Sequence, residues 1–161
     1  MRRTAYWIVV LAMTSMAGGA GAAPETLGWR VLTDATGSRV DYPADVFSVP
    51  DTPHNNVGGF RFRTPDGRAD FSFFTVPTPR AGSPAGFLVR NLRLPEREVQ
   101  YRRTTPSFFA VSGIHGAAVY YARCNASADH GMLNCIYLAY PASETHAWDA
   151  IVTRVSRSLH S

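Results

Sequence analysis

The residues in this chain that could carry chemistry are two cysteines, a scatter of histidines and one run of arginines. Their spacing decides what is open to them. Cys124 and Cys135 are the only cysteines. Thiols that share a metal or a redox centre usually lie about two to four residues apart, because one loop must present both sulfurs. This wider gap fits neither, and an even pair predicts a disulfide wherever the compartment is oxidising. Ser112 and His115 flank a short Gly-Ile segment, and across a tight turn hydroxyl and imidazole could form a nucleophile–base pair. No orienting acid or oxyanion hole is marked, however, and a turn with an exposed histidine is the plainer account. His54, His115 and His130 fall in expected loops, with Asp51 and Asp129 nearby in sequence. Converging loops of that kind would suit zinc, but no two of the histidines share a ligand spacing.

The arginines form a candidate binding strip: Arg90, Arg93, Arg102 and Arg103, with Arg97 between them and Glu96 and Glu98 interrupting. Guanidinium groups in a row suit the carboxylates of an acidic protein or the anionic groups of an envelope glycan. Motifs for other chemistry are missing. There is no G-x-S-x-G elbow, phosphate loop, dinucleotide fingerprint or H-E-x-x-H, and no cofactor is expected.

These residues sit in a chain whose start reads as an address. Arg2 and Arg3 precede an apolar run from Ala5 to Met13, and small residues lead to Ala22 and Ala23. That is the pattern of a secretory signal peptide over residues 1–23. The run is too short for a transmembrane helix, so no membrane span is expected once the leader is removed. Periplasmic or extracellular localisation follows. Residues 24–161 are read as one domain, since no linker-like stretch or repeat divides them. At 45% hydrophobic and 17% charged the composition is that of a folded chain rather than a disordered one. All 16 basic residues are arginine, and beyond the leader 14 of them face 12 carboxylates. So small an excess argues against nucleic acid as a partner.

The elements that must position the candidates are mostly strands. Gly28–Thr33 and Arg39–Tyr42 read as a hairpin, ended by Pro43. Gly59–Arg63 and Ala69–Val76 form a second around Thr64 to Gly67. Ser83 and Pro84 open a short helix reaching Leu92. Glu98–Arg103 and Ser107–Ser112 return to strands, with residues 113–116 as a tight connection. Gly116–Cys124 and Leu133–Tyr140 form the cysteine hairpin, and pairing Cys124 with Cys135 also pairs Tyr121 with Leu138 and Val119 with Tyr140. Phe73, Phe74, Phe108 and Phe109 put aromatic rings on both sides of their strands, which predicts a sheet covered on both faces. Last, Ser143 can cap a helix whose Trp148, Ile151, Val152, Val155 and Leu159 form one apolar stripe, with Glu144 near its start and Arg154 and Arg157 near its end.

Several phrases resemble a group of small exported bacterial proteins: Val40 to Phe47, Asp66 to Ala69, Phe108 to Gly113, Tyr120 to Cys124 and Trp148 to Leu159. More remotely, the early Tyr42-Pro43 turn, the antiparallel strands and the closing helix are similar to the PsbP-like fold. The resemblance implies an α+β domain: a single, largely antiparallel sheet with a C-terminal helix and a second, shorter helix packed on it, an α/β/α sandwich. It also implies a binding or assembly role rather than catalysis. The expectation is therefore a non-catalytic exported module that binds another cell-envelope protein. The alternative is a small exported hydrolase using Ser112 and His115 or a histidine-bound metal.

Overall fold

A computed structural model describes residues 27–52, 59–78 and 96–160. The expected leader and the helix from Ser83 to Leu92 lie outside the described residues, as do Arg90, Arg93 and His54. Chain order begins with a hairpin, β1 (Trp29–Thr33) and β2 (Arg39–Pro43). Asp34 shapes its turn by accepting from the amides of Thr36 at 2.8 Å and Ser38 at 3.0 Å. The other Asp34 carboxylate oxygen accepts from the Thr75 hydroxyl, which pins the hairpin to the main sheet.

That sheet is built from β3 (Val49–Asp51), β4 (Gly59–Arg63), β5 (Asp70–Pro77), β6 (Val99–Thr104), β7 (Phe108–His115), β8 (Ala118–Ala126) and β9 (Met132–Pro141). Its order is β3-β4-β5-β9-β8-β7-β6, and every neighbouring pair is antiparallel. The β1–β2 hairpin stands beside it as a separate ribbon. Helix α1 (Thr145–Ser158) closes the described chain.

The cysteine register holds as the pattern requires: Cys124 opposes Cys135, Tyr121 opposes Leu138 and Val119 opposes Tyr140. The two cysteines form a disulfide with Cα atoms 4.1 Å apart, and both are fully buried. Because side chains alternate along a strand, the disulfide and the Tyr121–Leu138 pair point to opposite faces. On one face Phe71, Phe73, Ile136, Leu138 and Tyr140 meet Trp148, Val155 and Leu159 of α1 together with Val40, Tyr42 and Phe47. On the far face the disulfide packs with Val76, Phe109, Val111 and Leu133. Burial pushes the largely buried phenol of Tyr137 on that face well above its ordinary value, with Asp70 adding to the shift.

Three local readings change. A 3-10 turn, Ala142–Glu144, precedes α1, and Ser143 is exposed and caps nothing. Glu144 instead pairs with Arg68 from the β4–β5 turn and accepts from the Trp148 indole at 3.4 Å. Strand β7 runs through the expected connection as far as His115, leaving only Gly116 and Ala117 as the loop. Gly116 takes φ +60°, as such a two-residue turn demands. Strand β3 departs from the sequence pattern. It contains Pro50 and lies at the sheet edge, where a missing N–H leaves no ladder bond unmade.

Candidate functional site

Seven strands are wider than one helix can cover. On its own face, α1 lies over β8 and β9 and against β2, and β6 and β7 extend beyond it. The corner that α1 and the other described elements leave uncovered is a groove of 390 Å³ between α1 and β6, β7 and β8. Strand alternation supplies its floor: Phe108, Ala110 and Ser112 from β7, and Tyr121 and Arg123 from β8. Tyr101 and Arg103 of β6 form one rim, and Val152, Thr153, Ser156 and Arg157 of α1 the other.

Three guanidinium groups line this groove. Arg123 is the best held. Its Nε donates to Asn125 Oδ1 at 2.9 Å and its Nη1 to Ser156 Oγ at 3.3 Å. Its guanidinium carbon lies 4.2 Å from the centroid of the Phe108 ring, and that of Arg103 lies 5.4 Å from the same ring. Both are within cation–π range. Ser156 is itself bonded to the Tyr121 hydroxyl at 2.7 Å, so the inner wall is a connected polar network. Arg157, from the last turn of α1, reaches the groove from the other side. Among the described residues no carboxylate pairs with Arg103, Arg123 or Arg157. Elsewhere Arg61 and Arg63 pair with Asp51, Arg68 with Asp66 and Glu144, and Arg154 with Asp41, while Arg30, Arg39 and Arg97 have no carboxylate partner among the described residues but do not converge on a shared groove. The groove is thus a cationic, aromatic-floored site able to hold carboxylate or another oxyanion group.

The sequence candidates distribute as follows. Arg102 and Arg103 are consecutive on β6, so they point to opposite faces, and only Arg103 reaches the groove. Arg123 and Arg157 were not among the candidates. Arg123 read as part of the cysteine strand and Arg157 as a helix-dipole residue, and neither has a sequence neighbour that marks the groove. Their convergence on one groove is the signal, and it is visible only in three dimensions.

The hydrolase pair does not assemble. Ser112 and His115 are three residues apart on one straight strand and so face opposite ways. Ser112 lines the groove, whereas His115 Nδ1 meets Glu98 Oε2 at 2.5 Å. A shared metal at His115 and His130 is also ruled out, because these residues lie at opposite ends of β8, which is 9 residues long. At the strand rise that is on the order of 30 Å. Among the described residues no group of three or more His, Cys, Asp or Glu side chains could hold a metal ion. Nor is any helix among them long and apolar enough to cross a membrane.

No family model and no curated protein matches the sequence. Solved structures do match it in shape. Cyanobacterial PsbP (CyanoP) from Synechocystis sp. PCC 6803 superposes with a TM-score of 0.60 at 13% identity, over 91% of this chain and 97% of that one. The Ran-binding protein Mog1p of Saccharomyces cerevisiae superposes with a TM-score of 0.56 at 11% identity, over 84% of this chain and 96% of that one. Identities this low speak to architecture and not to activity. With its antiparallel sheet and closing helix, this chain has the PsbP-like α+β fold.

Proposed function

We propose that this chain is a non-catalytic module, exported to the periplasm or beyond the cell, that binds another cell-envelope protein through the uncovered flank of its sheet. The observation that carries this reading is the groove beside β6 and β7. There three arginines with no carboxylate partner among the described residues lie beside exposed apolar surface, with Tyr101 46% and Ile114 39% exposed. Unpaired charge beside exposed aromatic surface suits a partner's rim and anchor contacts. Arg103 is the member of the original arginine strip that belongs to this surface. Export is supported by the leader-like first 23 residues and by a disulfide of the kind that persists in oxidising compartments. A protein partner is also in keeping with the shared architecture of Mog1p, which is described as Ran-binding.

Two measurements test the reading. The mass of the chain recovered from an expressing bacterium reports whether residues up to Ala22 or Ala23 are removed, and an intact Met1 would refute export. Affinity capture from an envelope extract then compares the native chain with the Arg103→Glu/Arg157→Glu variant. The expected result is one reproducible partner retained by the native chain and lost from the variant. Identical capture by the two would remove the groove from the proposal.

A further inference from the structure

The groove also specifies the chemistry of what enters it. Resting on the partner-binding reading above, we propose that the groove is a carboxylate-reading site that takes an acidic, extended segment of the partner protein, with acidic and apolar side chains interspersed.

Charge is the first argument. Arg103, Arg123 and Arg157 come from three different elements, β6, β8 and α1, and among the described residues no acidic side chain lines the groove they share. Leaving three cations together unneutralised costs self-repulsion, which an incoming anion relieves. A second copy of this chain is a poor occupant, because its own groove and β6 present arginine to arginine.

Pre-organisation is the second. Asn125 and Ser156 hold two donor positions of Arg123, and the Phe108 ring supports the guanidinium face. Nη2 is left without a protein acceptor among the described residues. A guanidinium fixed in this way loses little freedom on meeting a carboxylate. Ser156 is buried and tied to Tyr121, so the support is part of the core rather than a mobile surface arrangement.

Mixed character is the third argument, and it separates a peptide from a free oxyanion or a sugar acid. Beyond the arginines the surface continues over Tyr101, which opposes Ser112 across the β6–β7 ladder, and over Ile114, two residues further along β7 on the same face. Phosphate has no use for that apolar flank, and a polar glycan gains little from Ile114. A peptide segment carrying Glu or Asp next to a branched aliphatic side chain fills both parts.

The test titrates the native, oxidised chain with an acetylated, amidated (Glu-Val)₃ peptide, following chemical shifts and heat. Parallel titrations use (Gln-Val)₃, inorganic phosphate and oligogalacturonate. Arg103→Glu/Arg157→Glu changes two exposed side chains, and its urea midpoint checks that the fold is retained. Arg123→Lys keeps the charge but loses the fork. Expected are shifts at Tyr101, Ser112 and Thr153 with (Glu-Val)₃ and none with (Gln-Val)₃. Affinity should fall roughly tenfold in the double variant and about threefold in Arg123→Lys, and should weaken as salt is raised. Three results would overturn the inference: no binding of (Glu-Val)₃, binding that ignores the arginine substitutions, or preference for phosphate or oligogalacturonate in the groove. If envelope capture still depends on the groove while (Glu-Val)₃ fails, the acidic-segment inference falls and the partner-binding reading stands. If capture is also indifferent to the groove, both fall.

Discussion

Reducing the Cys124–Cys135 disulfide tests the organisation of the whole sheet. The bridge joins neighbouring central strands, β8 and β9, at a sequence separation of 11. In the chain-entropy model a cross-link closing so short a loop removes enough freedom from the unfolded chain to contribute about 3 kcal/mol. Both cysteines are fully buried in the far-face cluster, so a reductant reaches the sulfurs only when that cluster opens. Two experiments follow. In urea unfolding, the chain with excess phosphine reductant should lose about 3 kcal/mol relative to the oxidised chain. Its m value should rise, because an uncrosslinked unfolded state exposes more surface. Without denaturant, reduction by dithiothreitol should be far slower than that of a small exposed disulfide and should accelerate with urea as unfolding does. Equal midpoints with and without reductant, or rapid reduction of the folded chain, would refute the placement of this bridge in a closed core.

Other perturbations probe the remaining contacts. Gly113→Ala would place a Cβ onto the Glu98 carbonyl oxygen and 2.8 Å from the Tyr120 hydroxyl. The variant should lose about 2 kcal/mol or more of stability, read by thermal unfolding, with exchange protection lost first on β6. Trp148→Ala removes the ring that stacks on Tyr140 at 5.2 Å and tilts against Phe47 at 5.7 Å. A cost of about 3–5 kcal/mol is expected in denaturant titration. The acid limb of stability should depend on Asp34. Burial raises its pKa, but hydrogen bonds from Thr75, Thr36 and Ser38 outweigh that and hold it below the ordinary carboxylate value. Its stabilisation is therefore complete above about pH 4 and is lost as pH falls through the lower folded value. Asp34→Asn should flatten the fall in urea midpoint below that pH, whereas an unchanged slope would discount the Asp34 network.

Much of the frame is legible in one dimension because strands and helices write their period into the sequence. Gly59–Arg63 and the terminal helix stripe appear where alternation and three-to-four spacing put them. The Cys124–Cys135 pair sets the β8–β9 register, since a one-residue slip would turn every side chain to the wrong face. What local pattern misses is set by position in the sheet. Pro50 argues against a strand until β3 is seen at an edge. Ser143 looks like a cap, yet Glu144 is held by Arg68, which is distant in sequence. The site was the least legible part. Adjacent arginines on β6 resemble a strip in sequence but part to opposite faces, and Arg103, Arg123 and Arg157 lie far apart along the chain. By itself the sequence determined a leader-like start, an antiparallel α+β chain, its closing helix and its disulfide, all of which follow from local periodicity and composition. Only the tertiary structure decided which strands α1 leaves uncovered and which arginines meet there without acids. Those outcomes depend on how a helix of fixed width lies across seven strands.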